Sequence, residues 1–313
     1  MACRINLHIV SNDDCVRNCN KDMRKQITEN DLCTLVKSKQ DELAVRCVGE
    51  WAEQKIYLLY QYFGIFAKGM KNKWKEINYI EICSGPGRCV VRENGVEIDG
   101  TSLAILNHDS AKYITKAYFF DYDENVVKIL NERIKILKIS DKKAKAYYGD
   151  YNEPSKICDK LCETLSSQYS LNLVVIDPTD CSVPFKLIEA LTGRLKNIDF
   201  IINIATGTDF SRNIPMAFND INRASKYERF IGSRGFFSDS KNILLNKSNN
   251  FAALRSNFIS MYQENMKKLG YSIFRLSPIK HYYYILFSSK NKVAADFWDK
   301  AQKTEYDGQL TLY

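Results

Sequence analysis

The sequence predicts an α/β protein built on a Rossmann-like, doubly wound, mostly parallel sheet. Short apolar runs alternate with segments of helical periodicity, which is typical of βαβ units. Two of these runs, residues 172–177 and 199–204, are almost wholly apolar, as expected for parallel strands covered on both faces. A final pair of apolar runs, joined by a short link, predicts an antiparallel C-terminal strand at one edge.

Composition is consistent with this class. The chain has 313 residues, of which 45% are apolar and 26% charged, so it can bury a sizeable core. No apolar run has bilayer length and the N-terminus lacks a secretory signal pattern, which predicts a cytoplasmic protein without membrane association. The ten cysteines are then expected to be reduced. A net charge of +8 permits a nucleic-acid partner.

The chain is predicted to begin with an extension. Residues 1–48 are polar and cysteine-bearing, and we expect the catalytic domain to occupy residues 49–313. Helical spacing from Trp51 to Phe66 leads into a short strand at 79–82.

Two local signals follow that strand. Asn94-Gly95 lies between two extended runs, which predicts a two-residue hairpin turn. The next segment, through Leu106, is predicted to be helical, with Thr101 or Ser102 as its N-cap.

The remainder alternates regularly. Strands are predicted at 117–121, 146–150, 172–177, 199–204, 271–276 and 282–289. Helices are predicted at 124–137, 155–165, 185–191 and 251–269. Gly270 is a typical C-terminal cap for the last helix, and the segment Ser277–Lys280 is predicted to link the last two strands.

The loop after the first strand is the first candidate site. Its residues are Cys83, Ser84, Gly85, Pro86 and Gly87. The glycines permit close approach of a ligand to the backbone, whereas Pro86 removes an N–H donor and makes a phosphate cradle less favourable. A cofactor without phosphates suits this loop better. Glu81, on the apolar strand before it, requires a partner if it is buried.

Acidic residues follow the next predicted strands. Asp121, followed by Tyr122, closes the strand at 117–121, where such folds hydrogen-bond a ribose. Asp123 fits the N-terminus of the following helix better. Asp150 could accept from an exocyclic amine and Tyr151 could pack on a flat ring, although a surface turn is an equal alternative.

The most apolar strand ends in Asp177-Pro178-Thr179-Asp180. In open α/β sheets ligands bind beyond the carboxyl ends of the strands, so Asp177 is placed to orient or deprotonate an acceptor group. Asn203, on the next strand, is its expected neighbour. Gly85, Asp121 and Asp177 are together expected to line one pocket.

This order of motifs resembles class I S-adenosylmethionine-dependent methyltransferases, and specifically the three-Cys-motif partner protein (TcmP) family. The resemblance covers about residues 46–300. It rests on VGEWAEQKIYLLYQYFGIF, YIEICSGPGR followed by DGTSLAIL, VVIDP, IINI and KHYYYILFSSKNKVAADFW. It implies S-adenosylmethionine as the cofactor and a seven-stranded sheet whose last strand is antiparallel.

The resemblance also implies residue roles. Glu81 to Gly87 would hold the methionine end of the cofactor, Asp121 its ribose and Asp150 its adenine, while Asp177 and Pro178 would border the reacting methyl group. The family tends to have Phe-Gly at the positions of Thr179-Asp180, and an aromatic residue or Ala at that of Cys83. The change at Thr179-Asp180 bears on the implied acceptor pocket more than on the cofactor site.

The methyl acceptor is left open between a nucleic-acid base and a small molecule or peptide. Asp177-Pro178 is half of the pattern used by amino-methyltransferases, without its aromatic residue. Lys55 is a candidate catalytic lysine for ribose methylation, although an exposed lysine on an amphipathic helix is the favoured interpretation.

Two other function classes are alternatives. One is a catalytically silent, methyltransferase-like subunit that recruits a partner protein, which would bind the cofactor without transferring methyl. The other is a zinc-containing nucleic-acid-binding protein. Its ligands would be Cys3, His8, Cys15, Cys19 and Cys33. The spacing of Cys15 and Cys19 is unusual for structural zinc, so no metal is predicted.

Overall fold

Two sheets organise the protein in the computed structural model, which describes residues 8–18, 28–29, 32–166 and 168–303. The strands are β1 (His8–Ser11), β2 (Thr28–Glu29), β3 (Leu32–Lys37), β4 (Ala44–Val48), β5 (Glu76–Ile82), β6 (Arg88–Val91), β7 (Val96–Asp99), β8 (Lys116–Asp121), β9 (Ala144–Tyr148), β10 (Ser170–Ile176), β11 (Ile198–Ile204), β12 (Ile273–Ile279) and β13 (Tyr283–Ser289). The helices are α1 (Asp13–Asn18), α2 (Trp51–Met70), α3 (Thr101–Leu106), α4 (Glu124–Ile136), α5 (Pro154–Cys162), α6 (Lys186–Arg194), α7 (Ser211–Ala217), α8 (Ile221–Ile231), α9 (Ser240–Lys247), α10 (Phe251–Lys268) and α11 (Lys292–Gln302).

The larger sheet confirms the predicted fold class. It has seven strands in the order β12-β13-β11-β10-β5-β8-β9. The pairs β5–β8, β8–β9 and β10–β11 are parallel, and β13 runs antiparallel to both β11 and β12. This is a Rossmann-like, mostly parallel sheet with an antiparallel C-terminal strand. The described residues divide into two compact units, those up to Gly149 together with 296–303 and those within 150–295, and each unit is described in turn.

The first unit contains the smaller sheet, whose six strands have the order β1-β7-β6-β4-β3-β2. Apolar residues of α2 and α3 pack against this sheet. This cluster contains Val48, Ala52, Ile56, Tyr57, Cys89, Val91, Ile98 and Ala104. Since β4 pairs in parallel with β6, strands from both sides of the boundary predicted at residue 48 share one sheet. The domain division itself stays a prediction.

The same unit contains β5, β8 and β9 of the larger sheet. All residues of β5 after Glu76 are buried, as are all those of β8 after Lys116. The helix α4 has Val126, Leu130 and Ile134 on its buried side, and these residues recur every four positions, as expected for one side of an amphipathic helix. The carboxyl ends of β5 and β8 are thereby fixed side by side.

The second unit contains β10, β11, β12 and β13. Every residue of β10 and of β11 is buried, as their apolar sequences predict. Between β11 and α10 lies a segment that periodicity did not resolve. It contains a π-helical turn at Thr206–Phe210 and the helices α7, α8 and α9. Phe210 stacks on Phe258 of α10 with ring centroids 4.1 Å apart.

Several local expectations were wrong. The hairpin between β6 and β7 has a four-residue loop, Arg92–Gly95, instead of a two-residue turn, because Gly95 takes φ +69° and its N–H donates to Val91 O. The N-cap of α3 is Gly100, not Thr101 or Ser102.

Two strand boundaries are also shifted. The strand predicted at 146–150 is β9, which begins and ends two residues earlier. The segment Ser277–Ile279 belongs to β12, in which Ser277 pairs with Ile285. The link between β12 and β13 is therefore Lys280–Tyr282.

The described part of the chain has no helix that is long and apolar enough to cross a membrane. The structure forms no disulfide among the cysteines that it describes. Cys158 on α5 is buried, and burial raises the pKa of its thiol to about 11, so it behaves as an inert core residue.

Candidate functional site

The loop after β5 adopts the backbone conformation that a close ligand approach requires. Cys83, Gly85 and Gly87 have φ values of +64°, +65° and +91°. Of these three residues, Cys83 is the one with a side chain, and such residues rarely adopt a positive φ unless the surrounding structure imposes it. A Cβ on Gly87 would lie 2.8 Å from Leu130 Cδ1 and 3.0 Å from Leu103 Cγ. Glycine is therefore needed there for packing as well as for its φ.

The loop closes on the acid at the end of β8. The N–H of Gly85 donates to Asp121 Oδ2 at 3.0 Å, and the N–H of Asp123 donates to Asp121 Oδ1 at 3.2 Å. Burial raises the pKa of Asp121, while the charge of Arg46 and the two N–H groups oppose that rise. The predicted juxtaposition of Gly85 and Asp121 is therefore present.

Two further residues of this region, Ser84 and Glu81, have buried polar side chains. Ser84 is buried, and its Oγ has no hydrogen-bond partner. A buried polar atom without a partner is uncommon in native proteins, and a polar ligand at the loop would satisfy it. Glu81 is buried and accepts a hydrogen bond from the hydroxyl of Tyr79 at 3.0 Å, which is the kind of partner that its burial required.

The loop has few free donors for a phosphate. The N–H of Ser84 donates to Phe120 O and that of Gly85 to Asp121, while Pro86 has none. Phosphate cradles need several backbone N–H groups directed at one anion. The structure thus supports the sequence argument for a cofactor that is bound without phosphate groups.

Arg133 anchors this loop through a hydrogen bond to its backbone, a role that the sequence patterns did not predict. Arg133 Nη1 donates to Pro86 O at 2.8 Å, and its Nε and Nη2 donate to Asp41. The side chain is 1% exposed, so Arg133 belongs to the interior and not to the solvated charge of the surface. Its position three residues after Leu130, on the buried stripe of α4, was the available signal.

The residues next to Asp121 have different environments. Asp123 is the N-cap of α4, and its carboxylate accepts from the N–H groups of Asn125 and Val126, which confirms the helix-terminus interpretation. Tyr122 is about half exposed. Its contact with the cofactor stays a prediction.

In the second unit, Asp177 and Asn203 are neighbours, as predicted. Asn203 Nδ2 donates to Asp177 Oδ1 and to Pro178 O, both at 3.0 Å. These two acceptors fix the orientation of the amide, since the flipped amide would place its oxygen against both of them. Asn203 Oδ1 is buried without a hydrogen-bond partner.

A charged cluster lies after β11 in the same unit and was also missed. The carboxylate of Asp209 accepts from the N–H of Cys181, from Lys226 Nζ at 2.8 Å and from the hydroxyl of Tyr227. Lys226 also binds Asp180 Oδ2 at 2.9 Å. Asp209 therefore joins the segment after Asp177 to α8. No local pattern predicts it, because its partners lie up to 28 positions away.

Asp150 and Tyr151 begin the second unit. Asp150 Oδ1 accepts from the N–H of Asn152 at 2.8 Å, which is the turn that the alternative interpretation described. The hydroxyl of Tyr151 lies 3.1 Å from Ser182 Oγ. The adenine-binding roles of both residues stay predictions, as does a shared pocket for Gly85, Asp121 and Asp177.

Lys55 is not the exposed lysine that was favoured. It is 8% exposed, with Nζ lying 5.3 Å from the ring centroid of Trp51. Lysine is rarely so buried without interactions of its own, and a catalytic role for Lys55 stays a prediction.

The zinc alternative is not favoured by the described residues. Within them, no three His, Cys, Asp or Glu side chains are placed to hold a metal ion. Cys15 is buried in an apolar cluster with Val36, Val45 and Val90, and Cys33 packs against it. Cys3, Cys19 and the side chain of His8 lie outside the described residues.

No protein-family model and no curated protein matches the sequence. Solved structures are similar in fold. They include an S-adenosylmethionine-dependent methyltransferase from Clostridium acetobutylicum (14% identity, TM-score 0.30, 48% of this chain and 50% of that one) and a magnesium protoporphyrin IX methyltransferase from Synechocystis (12%, 0.39, 77% and 84%). A third is spermidine synthase from Thermotoga maritima (13%, 0.43, 92% and 82%). The chain thus spans about half the length of the Clostridium protein, and these likenesses concern the fold alone.

Proposed function

We propose that the chain is an S-adenosylmethionine-dependent methyltransferase whose cofactor lies on the loop between β5 and β6. The observation that carries the proposal is the hydrogen bond from the Gly85 N–H to Asp121, which joins a positive-φ loop to the acid of the neighbouring strand. The buried, unpartnered Ser84 Oγ beside it fits a polar ligand. The family-level resemblance to TcmP proteins stays a prediction resting on the motifs in the sequence.

The residues present suit a nucleoside that carries no phosphate. A carboxylate has about four lone-pair positions, so Asp121 can keep both backbone N–H groups and still accept from ribose hydroxyls. Ser84 can donate to, or accept from, the amino-acid end. Glu81 and Cys83 shape the loop, and Arg46 lies beside Gly85, where a Cβ would be 3.2 Å from its Nη1.

Asp177, Pro178 and Asn203 are proposed to position the methyl acceptor. When bound, S-adenosylmethionine supplies a methyl group that is already activated by its sulfonium sulfur. The protein therefore has to align the acceptor, exclude water and receive a proton. The side-chain amide of Asn203 donates to Oδ1 of Asp177 and so orients that carboxylate to take the proton. The side-chain oxygen of Asn203, its own Oδ1, can accept a hydrogen bond from the substrate.

Calorimetric titration with S-adenosylhomocysteine tests the cofactor site. We expect the wild-type protein to bind and Asp121→Ala to lose binding, because the ribose would lose its acceptor. Gly85→Arg should also abolish binding, since a side chain at φ +65° is strained and would lie against Arg46.

Asp141→Ala is the control, because its side chain is 60% exposed. It should bind like the wild type. Unchanged binding in both loop variants would refute the assignment of the site.

The acceptor is best identified by transfer of labelled methyl groups into separated RNA, DNA, protein and small-molecule fractions. Transfer into nucleic acid would agree with the net charge of +8. Cofactor binding without transfer to any fraction would support the catalytically silent subunit instead.

A further inference from the structure

A cation from the N-terminal segment lies on the proposed cofactor loop. Arg46 belongs to β4, where it pairs with Cys89 of β6 and Leu32 of β3. A Cβ built on Gly85 would lie 3.2 Å from Arg46 Nη1 and 3.4 Å from its Cζ. The guanidinium therefore rests against the Gly85 face that lacks a side chain.

The charge of Arg46 acts on the same residues that form the loop. Burial raises the pKa of Asp121, and the charge of Arg46 is the largest influence that opposes this rise. Both carboxylate oxygens of Asp121 already accept backbone N–H groups. Arg46 thus adds positive potential beside the loop, where the buried Ser84 Oγ has no hydrogen-bond partner.

A guanidinium at Gly85, the residue next to the buried hydroxyl of Ser84, is suited to a carboxylate. The guanidinium presents parallel N–H donors that match the two oxygens of a carboxylate, whereas lysine offers only a point charge. Adenosine is uncharged, and the amino-acid end is the part of S-adenosylmethionine that carries a carboxylate. The positive charge of Arg46 beside Gly85 therefore favours placing the amino-acid end of the ligand there, and not the adenosine end.

We propose that Arg46 binds the carboxylate of the cofactor's amino-acid end and so selects the intact molecule over its decarboxylated form. This inference rests on the proposed function. It also gives residues 44–48, which the sequence analysis assigned to an extension, a direct part in ligand recognition.

The test compares two probes that differ only by this carboxylate. S-Adenosylhomocysteine and its decarboxylated analogue, S-adenosyl-3-thiopropylamine, are titrated calorimetrically into the wild type, Arg46→Met, Arg46→Lys and Lys37→Met. Lys37→Met is the matched control, because it removes one exposed positive charge from β3 of the same sheet. Circular dichroism confirms that each variant is folded.

The wild type should bind S-adenosylhomocysteine about 10- to 100-fold more tightly than the analogue, as expected for a charge-assisted hydrogen bond. Arg46→Met should remove that preference without weakening the analogue, and Arg46→Lys should keep part of it. Lys37→Met should leave the ratio at its wild-type value.

Either of two results would overturn the role of Arg46. One is that Arg46→Met lowers the affinity for both probes by the same factor, and the other is that the Arg46→Met variant binds S-adenosylhomocysteine as tightly as the wild type does. Failure of the wild type to bind either probe would instead overturn the proposed function, and the assignment of Arg46 with it.

Discussion

Gly207 shows how a single residue fixes the end of β11 near Asn203. A Cβ at this position would lie 1.9 Å from His281 O and 2.8 Å from Tyr282 O. The Gly207 N–H donates to Tyr282 O at 2.9 Å. Two backbone segments thus approach so closely that a side chain is excluded, a requirement of packing and not of φ.

Gly207→Ala should accordingly destabilise the protein by about 1–3 kcal/mol, the usual cost of overpacking. Gly193 is the matched position, because a Cβ there would meet no atom within 4 Å and the residue lies in α6. Gly193→Ala should stabilise the protein by about 0.5–1 kcal/mol. Urea unfolding measures both, and equal midpoints for the two variants would contradict this account.

At the residue scale, the sequence predicts candidate site residues from their positions along strands. Asp121 and Asp177 were predicted because each ends an apolar run, and Asn203 because the next run contains it. Arg46 and Asp209 were missed because their partners are distant in sequence: Arg46 lies 39 positions before Gly85 (85 − 46). Single-sequence patterns report neighbours at helical or strand spacing, not ion pairs between elements.

At the scale of elements, Arg133 links α4 to the smaller sheet and to the cofactor loop. Its guanidinium donates to Asp41, to Ala44 O and to Pro86 O. Burial alone would raise the pKa of Asp41, but the hydrogen bond and charge of Arg133 lower it below its ordinary value. Arg88 also binds Asp41, at 2.9 Å. The network is therefore buried and paired, which makes the loss of one member costly.

We expect Arg133→Met to destabilise the protein by about 3–5 kcal/mol, since it leaves Asp41 with Arg88 as its remaining cation. The double variant Arg133→Met/Asp41→Asn should be less destabilised than the sum of the two single variants, because the buried charge is removed with its partner. Guanidinium unfolding of the four proteins gives the coupling energy. Strict additivity would show that the pair is not coupled.

The elements themselves were largely predictable, for a physical reason that also explains the failures. Buried parallel strands are continuous apolar runs and amphipathic helices repeat every three or four residues, so β10, β11 and α4 were found. The segment with α7, α8 and α9 mixes polar residues with aromatic ones, such as Phe210 and Tyr227, whose rings pack on each other with centroids 5.4 Å apart. Such clusters carry no fixed period.

At the scale of the whole molecule, several buried or half-buried acids oppose stability at neutral pH. Burial raises the pKa of Asp99 and of Asp121, and it raises that of Asp199 to about 6. Each of these groups holds its proton more tightly in the folded state than in the unfolded state. Their contribution to stability is present below the unfolded pKa and is lost as pH rises through the folded pKa.

Asp199 permits a direct test of this dependence. It lies on β11 and accepts a hydrogen bond from Ser289 Oγ on β13, and its pKa rises from 3.8 to about 6 chiefly through burial. The ionised form is therefore disfavoured in the folded protein by about 3 kcal/mol, at 1.36 kcal/mol for each pKa unit.

Asp199→Asn resembles the protonated acid at every pH. Its stability relative to the wild type should rise by about that amount between pH 4 and pH 7.5, measured by urea unfolding at each pH. Asp141→Asn, which replaces an exposed acid, should show no such rise, and an Asp199→Asn curve parallel to that of the wild type would mean that Asp199 titrates normally in the folded protein.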